Sequence, residues 1–143
     1  MKRFVVDASV ALKWCLPAIE EDFAAQAEEL LTSYRNNEAV CFVPDLFWLE
    51  MGNALWKAVL KGRIILSRAE KAYAELTELE IPSIPSFDLV PQAMQLAVAH
   101  SRSVYDSVYV VLALRANAEL ITADERLANA LAARFPVKWL GAF

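Results

Sequence analysis

The sequence predicts an α/β fold in which a central parallel sheet of four to five strands is flanked by helices on both faces. Short apolar segments rich in β-branched residues alternate along the chain with longer segments of helical length and pattern. This alternation is typical of parallel strands joined by right-handed helical crossovers. A length of 143 residues with 57% hydrophobic residues and only 3 glycines indicates one compact domain, residues 1–143.

The boundaries of the elements follow from composition and from turn residues. The predicted strands are 4–6, 40–43, 81–84, 119–122 and 137–140, of which the third is weak because it contains Pro82. The predicted helices are 8–16, 20–34, 46–61, 67–80, 88–100, 105–117 and 124–134. A capping box of Ser67 and Glu70 is expected to start the fourth helix, and Asp88 to cap the fifth. The sixth helix is apolar on all sides between 108 and 114, which predicts that it is buried.

Composition excludes several classes of protein and of site. No apolar run approaches the ~18 residues of a membrane span, and Asp7 interrupts the apolar start before a signal-peptide core forms, so we expect a cytoplasmic protein. The single histidine, His100, rules out a nuclease with paired histidines as acid and base and a histidine-rich zinc site. A net charge of −4 argues against purely electrostatic binding of nucleic acid, although a bound divalent cation would reverse the local sign.

Three aspartates lie at predicted helix starts near strand ends. Asp7 follows the first strand, Asp124 lies two residues beyond a later strand, and Asp106 lies at the start of the buried helix. In parallel α/β sheets, sites form at the carboxyl ends of strands. Each of the three can also be a simple helix cap, and Asp45 and Asp88 occupy similar positions.

Glu50 differs because it lies inside a helix. At 100° per residue it shares a narrow polar line with Asn53 and Lys57 on a helix that is otherwise almost wholly apolar. The line is either a solvent-exposed stripe or the edge of a polar cleft into which Glu50 reaches.

Convergence of these acids would require a counter-charge. Two carboxylates about 4 Å apart repel by ~4 kcal/mol at an effective dielectric of 20, so a cluster takes up protons or binds a cation. Oxygen donors suit hard ions such as Mg²⁺ or Mn²⁺, which assist phosphodiester hydrolysis by polarising the phosphate and activating water.

Four segments together resemble the PIN-domain nucleases, and among them the VapC-type toxins of toxin–antitoxin pairs. The segments are Val5-Val6-Asp7-Ala8-Ser9-Val10, Pro44-Asp45-Leu46-Phe47-Trp48-Leu49-Glu50-Met51-Gly52-Asn53-Ala54-Leu55, Tyr105-Asp106-Ser107-Val108-Tyr109 and Leu120-Ile121-Thr122-Ala123-Asp124-Glu125-Arg126-Leu127. One departure is the turn before Asp106, Ser101-Arg102-Ser103-Val104, which lacks the glycine often found there.

The resemblance implies the roles of individual residues. Asp7, Asp106 and Asp124 would hold Mg²⁺ or Mn²⁺, and Glu50 would bind a second ion or orient the attacking water. A further group would support the carboxylates by hydrogen bonds: Ser9, Asn53 and Thr122. The implied activity is endonucleolytic cleavage of RNA, leaving 5′-phosphate and 3′-hydroxyl ends. The implied assembly is a homodimer that binds a small antitoxin protein.

Two other functions remain open at this stage. A PIN-like module that binds RNA or protein without cutting would need none of the four acids. A phosphohydrolase with a nucleophilic aspartate after the first strand generally needs a second acid two residues later, where this chain has Ser9.

Overall fold

The strands form one parallel sheet. The computed structural model describes all residues, 1–143, and its strands are β1 (Lys2–Val6), β2 (Ala39–Pro44), β3 (Ser83–Ile84), β4 (Glu119–Thr122) and β5 (Val137–Trp139). Their order across the sheet is β3-β2-β1-β4-β5, and every neighbouring pair is parallel. The predicted parallel sheet is confirmed.

Seven helices connect the strands. They are α1 (Ala8–Cys15), α2 (Ala24–Arg35), α3 (Leu46–Leu60), α4 (Leu66–Glu78), α5 (Val90–His100), α6 (Val104–Arg115) and α7 (Glu125–Leu131). Since the chain moves one way across the sheet from β1 to β3 and the other way from β3 to β5, right-handed crossovers place α1–α4 on one face and α5–α7 on the other. None of the helices has both the length and the apolar character needed to span a lipid bilayer.

The core is centred on α6, as its apolar sequence predicts. Every residue from Ser107 to Ala113 is buried, and the helix packs against β1, β2 and β4. A helix buried on all sides holds its first turn rigidly, because dense packing leaves no room for it to shift. The side chains at the start of α6 are therefore attached to a rigid backbone.

Three helix starts differ from the sequence prediction. The capping box of Ser67 and Glu70 is wrong, because α4 begins at Leu66 and no side chain caps it. Asp88 lies within a 3₁₀ turn and does not cap α5. The second helix begins four residues late, because Phe23 adopts a left-handed conformation (φ 57°) that ends the preceding turn. In each case local propensity was overridden by the path of the chain between packed elements.

The strand order reverses between β1 and β4. The two strands are hydrogen-bonded neighbours, yet the chain leaves β1 towards one edge of the sheet and leaves β4 towards the other. The crossovers that follow them diverge to opposite faces, which opens a crevice at the carboxyl ends of β1 and β4. Such a topological switch point is where open α/β sheets bind ligands.

Candidate active site

Asp7 lies at the switch point and does not act as a helix cap. It precedes α1 in the N-cap position, but its side chain makes no capping hydrogen bond. Its Oδ2 instead accepts hydrogen bonds from the hydroxyls of Ser9 and Thr122, each at 2.7 Å. Because Thr122 is the last residue of β4, the carboxylate is fixed across the crevice between the two central strands.

The two hydroxyl groups also order the loop after β4. Ser9 Oγ accepts a hydrogen bond from the backbone N–H of Ala123 at 3.0 Å, and Thr122 Oγ1 accepts one from that of Asp124 at 3.0 Å. Each hydroxyl is thereby turned so that its proton faces Asp7. These are supporting contacts of the kind expected for Ser9 and Thr122. The side chain of Asn53, the third residue in that group, is exposed and makes no hydrogen bond.

Asp124 and Asp106 lie at the starts of α7 and α6. Asp124 is exposed and caps α7, since its Oδ1 accepts a hydrogen bond from the N–H of Leu127 at 3.2 Å. At α6 the cap is Ser103, whose Oγ accepts the N–H of Asp106 at 3.0 Å. The capping hydrogen bond at α7 therefore occupies one carboxylate oxygen of Asp124. At α6 the capping side chain is that of Ser103, and it fixes the backbone N–H of Asp106.

Glu50 reaches the same rim from α3. Its side chain is partly buried, and its Oε1 accepts a hydrogen bond of 2.7 Å from the hydroxyl of Tyr109, which is 2% exposed. Burial raises the pKa of Glu50 to about 7, and the nearby charges of Asp7 and Asp106 add to the increase. The structure thus favours the cleft interpretation of Glu50 over the solvent stripe, although Lys57 on the same line is exposed.

The four carboxylates share one electrostatic environment. Burial raises the pKa of Asp7, and the charge of Asp106 raises it further. Burial also raises the pKa of Asp106, to which Asp124 adds and which Arg102 opposes. Residues from the ends of β1 and β4, from α3 and from α6 are therefore close enough to repel one another.

The chemistry of the donors fits a hard divalent cation. The interacting ligands are carboxylates and hydroxyls, without histidine or thiolate, and their raised pKa values mean that a nearby positive charge would stabilise their ionised forms. No three of them are gathered closely enough to enclose one ion. Mg²⁺ commonly keeps several waters and takes only one or two protein carboxylates together with substrate phosphate, so the arrangement suits an open site.

A sizeable cavity lies elsewhere. It has a volume of about 710 Å³ between the ends of α1, α2 and α4, and none of the four carboxylates lines it. Its rim carries four cationic side chains: Arg35, Arg63, Arg68 and Lys71. The cavity is therefore distinct from the acidic rim.

The sequence analysis does not predict that Tyr109 supports the site. In the sequence Tyr109 stands out only as part of a motif on an apolar helix, whereas in the structure its hydroxyl donates a hydrogen bond to Glu50. A signal was available, because a tyrosine in a helix predicted to be buried must find a polar partner for its hydroxyl.

The fold and the site define a class: an α/β protein with an acidic crevice at the switch point of a parallel sheet. Comparison with known proteins makes the class specific, because the PIN-domain family model matches residues 4–131. The chain belongs to the PIN-domain family, and its similar relatives are VapC-type members of it.

Two relatives and one solved structure illustrate the similarity. The ribonuclease VapC3 of Pyrobaculum aerophilum is 30% identical over 129 residues, which covers 89% of this chain and 93% of that protein. The ribonuclease VapC1 of Mycobacterium tuberculosis is 36% identical over 94 residues, or 65% and 69% of the two chains. The crystal structure of PAE2754 from Pyrobaculum aerophilum superposes with a TM-score of 0.73 at 18% identity, covering 99% of this chain and 85% of that one, which shows a shared fold.

Proposed function

We propose that this protein is a Mg²⁺- or Mn²⁺-dependent endoribonuclease and the toxin of a toxin–antitoxin pair, acting in the cytoplasm. The observation that carries the proposal is the placement of Asp7 at the switch point of the sheet, where it accepts hydrogen bonds from Ser9 and Thr122 instead of capping a helix. Glu50 and Asp106 lie near enough for like charge to raise their pKa values or that of Asp7. The relatives named as VapC ribonucleases support RNA as the substrate class.

The residues divide into those that hold a cation and those that position them. Asp7, Asp106 and Asp124 are the proposed ligands of an open site, in which one or two of them contact an ion together with water and substrate phosphate, and Ser9 and Thr122 orient Asp7 through its Oδ2. When bound, the ion polarises the phosphate, lowers the pKa of the attacking water and stabilises the leaving oxygen.

Glu50 is suited to accept a proton from the attacking water. Tyr109 holds its Oε1 and leaves Oε2 without a side-chain partner. Burial raises the pKa of Glu50 to about 7 in the metal-free protein, and a cation bound nearby would favour its ionised form, which can accept a proton from water. Attack by water predicts products with 5′-phosphate and 3′-hydroxyl ends, because the 2′-hydroxyl takes no part.

The decisive experiment is cleavage of RNA by purified protein with Mg²⁺ or Mn²⁺ and with a chelator. We expect cleavage only with the ions, and a loss of about 10²-fold or more in Asp7→Asn, since an ion ligand contributes several kcal/mol to the barrier. The matched control is Asp88→Asn, which removes an exposed aspartate outside the site and should cleave normally. Intact RNA under every ionic condition, with unchanged metal affinity in Asp7→Asn, would favour a non-cleaving PIN-like binding module instead.

We propose an antitoxin partner from the residues that line the cavity between α1, α2 and α4. The cavity has apolar walls that include Trp14. Arg35 and Arg68 on its rim form no ion pair, whereas Arg63 and Lys71 pair with acidic side chains of the same chain. This combination suits a small antitoxin that offers apolar and acidic side chains. Expression with and without a candidate antitoxin tests the pairing: growth arrest should appear only without it.

A homodimer is proposed because apolar side chains remain exposed on α3 and α5. They include Trp56 (54% exposed) and Leu60 (66%) on α3, and Val98 (85%) on α5. Sedimentation analysis should give twice the monomer mass, and Trp56→Glu should shift the mass towards the monomer. A monomeric wild-type protein at high concentration would contradict the proposal.

A further inference from the structure

Arg102 occupies a fixed position beside the acidic rim. Ser101 before it adopts a left-handed conformation (φ 54°), and Ser103 after it is the N-cap of α6. The N–H of Arg102 donates to the carbonyl oxygen of Ala97 in the last turn of α5, at 3.3 Å. The backbone of Arg102 is thus fixed on both sides, immediately before the helical turn that carries Asp106.

Arg102 is the one cationic residue that acts on the carboxylates. The charged groups that influence Asp7, Glu50 and Asp106 are all acidic except Arg102, which acts on Asp106. In a protein of net charge −4, a lone positive charge beside the acidic crevice provides a group that can attract an anion.

The hydrogen-bonding capacity of Arg102 is unused. Its side chain makes no hydrogen bond and no ion pair within 4.0 Å, and its Nε is the only buried side-chain nitrogen or oxygen in the chain that lacks a partner. An unpaired buried donor destabilises the fold, so its retention calls for an explanation. A guanidinium group presents a planar fork of donors whose natural acceptors are carboxylate and phosphate oxygens.

We propose that Arg102 binds a phosphate of the RNA backbone next to the linkage that is cut, and so brings a polyanion to an acidic crevice. The inference rests on the proposed ribonuclease function. Asp106 is an alternative acceptor, but Arg102 forms no ion pair with it. The Nε of Arg102 is buried, so the two terminal amino groups of this half-buried side chain are the donors that a ligand can reach. An RNA phosphate fits because substrate must approach the rim on which Asp106 lies.

The test measures RNA affinity as a function of salt in a background that does not cut. The probe is a fluorescently labelled, mixed-sequence, single-stranded RNA oligonucleotide with Asp7→Asn protein in Mg²⁺, and fluorescence anisotropy gives the Kd. Adding Arg102→Gln should weaken binding by about tenfold, as expected for one charge-assisted hydrogen bond. It should also reduce the slope of log K against log salt by about 0.7, the value for one phosphate contact on a single strand.

Two further variants separate this role from others. Adding Arg102→Lys should keep the salt slope, because the positive charge remains. Part of the affinity should be lost, because lysine lacks the planar fork of donors. Adding Arg134→Gln, which removes an exposed arginine in the turn that follows α7, should leave the slope unchanged. Equal slopes for Arg102→Gln and Arg134→Gln would overturn the proposal. If Arg102→Gln then lowered only the melting temperature, the residue would be a structural partner of Asp106.

The failure of this inference is distinguishable from failure of the proposed function. If wild-type protein cleaves RNA and the slope does not depend on Arg102, the inference alone is wrong. If the Asp7→Asn protein binds RNA with an Arg102-dependent slope while the wild-type protein never cleaves, the residue binds phosphate and the ribonuclease assignment is wrong. Absence of RNA binding together with absence of cleavage by the wild-type protein would refute both.

Discussion

Replacement of Glu50 by glutamine should stabilise the metal-free protein, and more so at higher pH. Glutamine retains an oxygen that accepts the hydrogen bond from Tyr109, so the substitution mainly removes the ionisable group. The folded state raises the pKa of Glu50 from 4.5 to about 7. The folded protein therefore binds this proton more tightly than the unfolded chain does, and stability contributed by the group is lost as pH rises between these two values.

The size of the effect follows from the pKa difference. A tenfold change in acidity corresponds to about 1.4 kcal/mol, which gives ~3 kcal/mol for the interval from 4.5 to about 7. Since Glu50 is only partly buried, solvent screening reduces this figure, and we expect about 2 kcal/mol between about pH 5 and about pH 8.

Urea unfolding in the presence of a chelator measures this quantity. The free energy of unfolding of Glu50→Gln should exceed that of the wild type by about 2 kcal/mol more at about pH 8 than at about pH 5. The matched control is Glu29→Gln, which makes the same change at an exposed glutamate in the middle of α2. A difference between Glu50→Gln and wild type that is independent of pH would refute the proposed burial and crowding of this carboxylate.

Three other substitutions test the framework of the site. Tyr109→Phe should cost about 1–2 kcal/mol of unfolding free energy in urea at neutral pH, because Glu50 loses its hydrogen-bond donor. Thr122→Val, nearly isosteric and fully buried, removes the donor to Asp7 and should cost about 1–3 kcal/mol by the same assay, while Thr122→Ser should restore most of that loss. Leu30→Ala, at a position with no solvent exposure, should lower stability by about 2–5 kcal/mol in thermal or urea unfolding without changing metal affinity.

The parts of the fold that the sequence predicts well are those fixed by local pattern. The strand before Asp7 and the buried helix after Asp106 are marked by runs of apolar residues, and the structure has both. The helix start assigned to Ser67 was wrong because a local capping pattern competes with the path imposed by neighbouring helices, and here the path decided. Cap positions are thus less reliable than core segments.

The sequence predicts the site from the positions of its acidic residues relative to the strands. Only the contacts in the structure distinguish the roles of these residues. An aspartate after a strand can be a cap or a ligand, and the structure separates the two: Asp7 makes no cap, whereas Asp124 does. The partners that matter come from distant segments, as the hydrogen bond between Tyr109 and Glu50 does. Single-sequence patterns carry no information on such long-range pairs, so these contacts could not be derived before the fold.

An acidic crevice that must receive an acidic polymer presents a physical conflict, and the arrangement of charges suggests how it is resolved. Asp7 and Glu50 lie where burial and like charge disfavour ionisation, so the crevice would gain from a bound cation. Under the proposed function, a cation would neutralise the interior of the rim and Arg102 would supply a separate positive charge at its edge. The two would attract different parts of one phosphodiester backbone, which would allow a chain of net charge −4 to act on RNA without a basic surface.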